Sequence, residues 1–344
     1  MPDRRKHAAA RKAHVALFDA QSLIAKGVRE RLVERSFPIA SVHLYTSQPD
    51  PEANLTEFGG QAMLVAHADF DALAPLDIAF LCGTRPEGAL YLDWPGRKGF
   101  AAIDLTTASR AAEGVPLVNA AVNPEAIPEA PGLIGTPHPI ALVLSTVLSA
   151  IRRGCGLAEA SIVALQPVSE CGEEGIRELY QQTLALLNFK DLPREVFGHQ
   201  LAFNLVPDFL YGGAGPPGGA ATEELEAEIT QVTGGGFGLS LSIALAPVFH
   251  CHAAMARVVL PPKRGRKDLL AALGAAPDVR VHERGEGATP MERAGEPGIL
   301  VAGVRQAGPE NAFWLWVVAD NLASGAALNA VRIAEALWQR EGVH

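Results

Sequence analysis

Two imidazoles and a thiol fall within Phe249-His-Cys-His252, and another imidazole, His138, lies in Thr136-Pro-His-Pro139. Imidazole exchanges protons near neutral pH, and imidazole and thiolate are zinc-type ligands, so these residues could serve acid–base work or a metal. Alternate residues of a strand share a face, which predicts His250 and His252 on one side and Cys251 on the other. Were a metal held, His138, His250 and His252, with Cys171 or Cys251, are the residues that would converge on it. The spacing by itself assigns no metal site. Cys82, Cys155, Cys171 and Cys251 lack C-x-x-C spacing, so neither a zinc knuckle nor a disulfide framework is indicated. His199, in Gly198-His-Gln-Leu201, reads as structural.

Such side chains need a scaffold, and composition bounds it. With 344 residues, 48% hydrophobic and 19% charged, the chain is too long for one small core and too apolar for disorder, which predicts two domains. The 34 glycines and 25 prolines are spread along the chain, as in an α/β protein with many tight loops. A net charge of -9 argues against nucleic acid as a partner, because phosphate-backbone affinity comes from clustered Lys and Arg. The basic cluster Arg4, Arg5, Lys6, His7, Arg11 and Lys12 reads as a solvated tail over 1–13, with docking of an acidic partner as the alternative. No signal-type apolar run follows it, and no uninterrupted apolar stretch is long enough for a bilayer, so a cytoplasmic protein without membrane attachment is expected.

Val15 to Phe18, followed by apolar residues at helical spacing from Ile24 to Arg35, predicts the opening strand–turn–helix of a doubly wound domain. Ile39 to Tyr45, Ala62 to Ala66, Ile78 to Cys82 and Ala101 to Asp104 continue it as short apolar strands of a parallel sheet covered on both faces. After Pro131 the texture changes: a long apolar helix, Ile140 to Ile151, precedes a strand, Ser161 to Leu165, and a helix, Gly175 to Leu187. Gly212 to Ala221 reads as a loop or mobile flap, and Pro261 to Arg266 as a basic connector. Strands are predicted at Leu239 to Leu245, Ala254 to Leu260, Ile299 to Arg305 and Phe313 to Ala319. A final helix, Gly325 to Gln339, carries Ala326, Ala327, Ala330 and Ala334 on one face for close packing.

Several blocks then carry a resemblance. Gly114-Val-Pro-Leu-Val-Asn-Ala-Ala-Val-Asn-Pro-Glu125, Gly132-Leu-Ile134, Val196-Phe-Gly-His-Gln-Leu-Ala-Phe-Asn-Leu-Val-Pro207, Pro247-Val-Phe249, Val318-Ala-Asp-Asn-Leu322 and Gly325-Ala-Ala-Leu-Asn-Ala-Val-Arg-Ile-Ala-Glu335 are similar to the aspartate-semialdehyde dehydrogenase family. The resemblance implies a Rossmann-like NAD(P)-binding-type domain over 14–133 plus 325–344, and a mixed α/β substrate and dimerisation domain over 134–324. It also implies a chemistry: a thiolate attacks the aldehyde carbon, hydride passes to NADP, and phosphate displaces the acyl group from the thioester.

Position by position, this sequence departs from that pattern. The family's Asn-Pro-Asn-Cys nucleophile motif reads Thr136-Pro-His138-Pro139, and proline has no nucleophilic atom. A register shift would bring His138 there instead, without giving a stable thioester. The glycines of the family's nucleotide loop correspond to Asp19, Ser22 and Ala25, and Asp19 adds negative charge where a diphosphate would lie. Thr46-Ser47-Gln48 stands where the resemblance implies an Arg-Ser pair for the 2′-phosphate. Three residues fit the family: Arg110 as the phosphate-holding arginine, Gln166 as the glutamine near the thioester carbonyl, and His252 as the acid/base histidine. They persist either as remnants with local hydrogen bonds or as parts of a changed site. The substrate-carboxylate arginine corresponds to Leu245, the glutamate after the histidine to Ala254, and the lysine of the Thr-x-Glu-Glu helix to Glu226. The Asp320-Asn321 pair reads as structural.

The chain is therefore expected to resemble catalytically degenerate bacterial paralogues of the Usg type: a dimeric pseudoenzyme acting as a binding or regulatory protein, alone or as a mixed dimer with the catalytic paralogue. No cofactor is expected on that reading. The alternative is a residual or altered NAD(P)-dependent semialdehyde dehydrogenase of aspartate-family amino-acid biosynthesis, using NADP, or a metal-assisted hydrolase using the histidines.

Overall fold

The computed structural model describes residues 11–48, 55–212, 214–283, 285–322 and 325–341. Short runs of buried aliphatic residues bounded by turns build a first sheet from β1 (Ala13–Phe18), β2 (Ile39–Thr46), β3 (Leu55–Phe58), β4 (Gln61–His67), β5 (Ile78–Leu81), β6 (Ala101–Asp104) and β7 (Leu133–Gly135). Their order is β3-β4-β2-β1-β5-β6-β7. All pairs are parallel except β3–β4, so the predicted all-parallel sheet carries an antiparallel edge hairpin that alternating exposed residues had hidden. Of the predicted basic tail, most lies outside the described residues; within them, Ala13 already belongs to β1 and Arg11 pairs with Asp77 at 3.1 Å and stacks over Trp338.

Both faces of this sheet are covered. On one, Phe18 and Tyr45 join Tyr91 and Trp94 beside the short helices α2 (Arg85–Ala89) and α3 (Trp94–Lys98). On the other, Val15, Leu17, Phe80 and Ile103 pack against α1 (Leu23–Glu34) and a helix from the far end of the described chain, Ala326–Glu341. Ala326, Ala327, Ala330 and Ala334 are buried there, and a Cβ on Gly27 of α1 would lie 3.2 Å from Ala327 Cβ. Small residues on both helices let them approach this closely.

The second sheet is formed by β8 (Glu159–Gln166), β9 (Val206–Pro207), β10 (Gly238–Leu245), β11 (His252–Val259), β12 (Val279–His282), β13 (Ile299–Gln306) and β14 (Ala312–Ala319), in the order β12-β13-β14-β11-β8-β10-β9. Ile162, Ala164, Ile243, Ala254, Ala256 and Val317 point to one face and meet α4 (Pro139–Cys155), α6 (Thr222–Thr233) and α7 (Arg266–Gly274) in the main core. The intervening residues face the other way. Ser242, Val163, Met255 and Trp316 form one cross-strand row on that opposite face, and Val163 is 52% exposed. Between these elements lie α5 (Gly172–Leu187) and the four-residue α8 (Pro290–Arg293), and the helix Ala326–Glu341 is α9. No helix among the described residues is long and apolar enough to cross a membrane.

Candidate functional site

The N-terminus of α4 is where the two sheets' chemistry meets. Pro139 takes the first helical position, where its missing N–H and fixed φ suit the helix, and His138 is the N-cap, its Nδ1 accepting from Ile140 N–H at 3.4 Å. Neighbouring antiparallel strands bring the end of β8 beside the start of β11, with Leu165 opposite Ala253, so Gln166 and His252 lie together on the helix-covered side. The turn after β8, Val168–Cys171, adds Glu170, and the residue after Asp320 at the end of β14 adds Asn321.

Glu170 is the centre of this group. Its Oε1 lies 3.2 Å from His252 Nε2 and accepts from Asn321 Nδ2 at 2.7 Å, while its Oε2 stands 3.5 Å from His138 Nε2. Burial alone would raise the Glu170 carboxyl, but the hydrogen bond and charge of His252, with His138 and Asn321, outweigh it and hold the group below its ordinary value. Ionised, it can only accept, so the His252 Nε2–H donates to it. Burial drives His138 down to about 3, with Glu170 opposing and Arg110 and His252 adding to the drop, so this ring is neutral. His138 is 2% and His252 1% exposed; His252 Nδ1 has no hydrogen-bond partner, and His138 Nε2 has none of good geometry, with the Gly218 backbone beside the ring opposing the drop.

Arg110 approaches from the first domain. Its Nε meets Glu228 Oε1 in a short ion pair, and its Nη1 lies 3.5 Å from Glu224 Oε2. Glu224 and Glu228 are one turn apart on α6 and therefore share a face, whereas Glu226 points elsewhere and accepts from Leu241 N–H at 2.7 Å. Burial raises Glu228 to about 7 although the Arg110 charge and the His138 N–H pull it down. A cavity of about 350 Å³ lined by Arg85, Arg110, Glu224 and Glu228 opens here. Two carboxylates already meet the Arg110 guanidinium, and Arg85 lies 3.7 Å from Glu224 Oε2 on the same lining.

The loop after β1 is also altered in its chemistry. Asp19 adopts a left-handed backbone with φ of 53°, accepts Ser47 N–H at 2.8 Å through Oδ1, and leaves Oδ2 buried without a partner. A Cβ on Gly83 would come within 2.7 Å of Asp19 Oδ2 and 2.6 Å of Glu87 Oε2, so two carboxylates bracket that glycine. Ser22 caps α1 with its own hydroxyl, which takes Ala25 N–H at 3.1 Å and donates to Cys82 O at 2.6 Å. Helix N-termini bind diphosphate through free N–H groups and positive potential. Here the Ser22 hydroxyl takes one of those donors, and the Asp19 and Glu87 carboxylates stand beside the loop.

Other predicted residues separate from the group. His250 precedes β11, and Cys251 has φ of 75°, so the strand alternation that was expected to align His250 with His252 is broken. Cys251 turns away, its N–H donating to Asn321 Oδ1 at 3.1 Å, and Cys171 donates its thiol to Pro217 O at 2.9 Å. Burial pushes each of these two thiols up to about 12. Leu245 is buried against Val168, Leu179 and Phe197, and Ala254 lies in the main core. His199 stacks edge-on against Tyr211 and offers its carbonyl to Gln182, a structural role as expected. The 212–221 loop is no detached flap: Pro217 O accepts from Gln166 Nε2 at 3.1 Å, and a Cβ on Gly219 would sit 2.4 Å from Gln166 Oε1. Asn321, expected to be structural, hydrogen-bonds Ser169, Glu170 and the Cys251 N–H. Glu170 and Glu228 were missed, since a single acid in a turn or on a helix gives no sign of burial before the fold is known.

Residues 14–130 match the family model described as semialdehyde dehydrogenase, NAD binding domain, and residues 148–324 the model described as semialdehyde dehydrogenase, dimerisation domain. The chain is 27% identical over 334 residues to an aspartate-semialdehyde dehydrogenase of Rickettsia bellii, covering 95% of this chain and 98% of that one. It is also 27% identical over 332 residues to a USG-1 protein homolog of Azotobacter vinelandii, covering 94% and 97%. In three dimensions it resembles the crystal structure of aspartate semialdehyde dehydrogenase II from Vibrio cholerae, with a TM-score of 0.86 at 26% identity over 96% of this chain and 99% of that one.

Proposed function

Because the chain belongs to the semialdehyde dehydrogenase family, with both its NAD-binding and its dimerisation domain, we propose that it is a member without the family's phosphorylating dehydrogenase activity, acting as a dimeric binding or regulatory protein. The observation that carries this reading is Pro139. It occupies the first turn of α4, where the resemblance places the thiol, and the nearby Cys171 thiol is protonated and donating to Pro217 O. Without a covalent nucleophile, turnover drops by roughly a millionfold. The Asp19 carboxylate at the nucleotide loop and the Arg110–Glu228 pair support the same reading. Dimerisation is supported by the match to the dimerisation-domain family and by the exposed Val163 between Ser242 and Met255, on a sheet face that this chain leaves open.

A second reading, an NAD(P)-dependent semialdehyde dehydrogenase of altered efficiency, is supported by the full-length likeness to relatives named as enzymes. Calorimetric titration with NADP and NAD, together with an assay of aspartate semialdehyde oxidation in phosphate, separates the two. We expect neither heat of binding nor reduced nucleotide. Micromolar nucleotide affinity or measurable turnover replaces the first reading by the second.

A further inference from the structure

We infer that His138, Glu170 and His252 form a binding site for one zinc-type divalent metal ion. One ligand atom from each lies within 4.8 Å of the others, and the three residues come from a helix N-cap, a turn and a strand start, so no local motif assembles them. Four ligands held tetrahedrally at about 2.0–2.1 Å from zinc stand roughly 3.3 Å apart. The 3.2 Å from His252 Nε2 to Glu170 Oε1 already lies at that spacing, and His138 Nε2 stands 3.5 Å from the other oxygen, Oε2, so the carboxylate faces both imidazoles.

The polar inventory points the same way. His138 Nε2 is buried and faces Glu170 Oε2 at 3.5 Å, beyond good hydrogen-bond reach, with the Gly218 backbone also beside the ring, so its partners are long ones that a metal–nitrogen bond would replace. Asn321 Nδ2 fixes the carboxylate from behind, and Asn321 is itself held by Ser169 Oγ and Cys251 N–H, an outer layer of the kind that orients metal ligands. Two imidazoles and one carboxylate leave further coordination positions for water or a small ligand, the arrangement of zinc and non-haem iron sites that act on substrates. Coordination through both Nε2 atoms leaves Nδ1 as the ring nitrogen that carries a proton, with no change of oxidation state. His138 then gives up its long 3.4 Å bond from Ile140 N–H, a small loss beside a metal–nitrogen bond. The set differs from the one expected from sequence, with Glu170 in place of His250 and the cysteines.

The inference does not depend on whether the chain oxidises semialdehydes, and its test reads metal alone. Untagged protein is stripped with EDTA, checked for native near-UV circular dichroism, and titrated with Zn(II) by calorimetry and with Co(II) by visible absorption. We expect one ion per chain, the visible bands of low-coordinate cobalt, and affinity weakened roughly a hundredfold or more in Glu170→Gln and about tenfold in Asn321→Ala. Failure of the folded wild type to take up either ion overturns the site. So does equal affinity in wild type, Glu170→Gln and His138→Asn, which would assign the binding to surface histidines. The cobalt spectrum of the wild type decides the matter even if a variant does not fold.

Discussion

Glu228 accepts the backbone N–H of His138 at 2.9 Å with Oε2 while its Oε1 faces the Arg110 guanidinium. One carboxylate thus fixes the start of α4 and takes up the charge of an arginine carried by the other domain. The arrangement locks the site by internal pairing.

Breaking that pair on one side leaves a buried acid without its cation. Arg110→Met is expected to destabilise the fold in urea unfolding, and more so above pH 7 than below it, because Glu228, raised to about 7 even beside its cation, must then take up a proton or stand charged and unpaired. Adding Glu228→Gln, which retains an acceptor for His138 N–H, is expected to recover much of the loss. A double variant no better than the single one would refute the coupling.

Asp19 supplies a pH dependence. Burial, its largest influence, raises its carboxyl above the ordinary 3.8, partly offset by the Ser47 N–H. The folded state therefore binds the proton more tightly than the unfolded chain, and this group's contribution to stability declines as pH rises from about 3.8 through the elevated folded value. Asp19→Asn keeps an acceptor for Ser47 and tolerates the left-handed backbone. Its melting temperature should exceed that of the wild type at pH 7, and the gap should shrink towards pH 4; a lower melting temperature at pH 7 would contradict the account.

Restoring one atom should not restore the reaction. Pro139→Cys places a thiol at the first turn of α4, yet Asp19 and Ser22 still occupy the nucleotide loop and Leu245 stands where the carboxylate clamp is implied. Absorbance of reduced nucleotide in phosphate and aspartate semialdehyde is expected to stay at the wild-type background. A rate clearly above it would mean that the loop admits nucleotide after all.

The exposed row on the second sheet gives a test of assembly. Val163→Glu puts a charge into the middle of Ser242-Val163-Met255 without touching the helix-covered core. Sedimentation velocity should show a dimer for the wild type and a shift to monomer for the variant. A wild-type monomer removes the assembly, and an unchanged dimer moves the interface elsewhere.

Legibility in the sequence followed burial. Ala101–Asp104 is a fully buried strand and was bounded to the residue, and the apolar period of α4 exposed its whole middle. The edge strands β3 and β12 are half-exposed and only four residues long, so no hydrophobic run marks them. At the site, the resemblance identified Arg110, Gln166 and His252, which all lie at the α4 end of the structure. Glu170 carried no periodic or motif signal, and Cys251 adopts a left-handed φ that a β-propensity reading cannot foresee.

The position of α9 has a consequence for the order in which the chain becomes folded. Every strand of the second sheet, from β8 to β14, has been made by residue 319, and the helices that cover it lie between 139 and 274. The first sheet is complete by residue 135, yet one of its faces keeps an apolar strip bare until residues 326–341 arrive to lie against α1. During vectorial synthesis the earlier-made half is therefore the later to be sealed. A nascent chain carries Val15, Phe80 and Ile103 incompletely covered through most of its emergence.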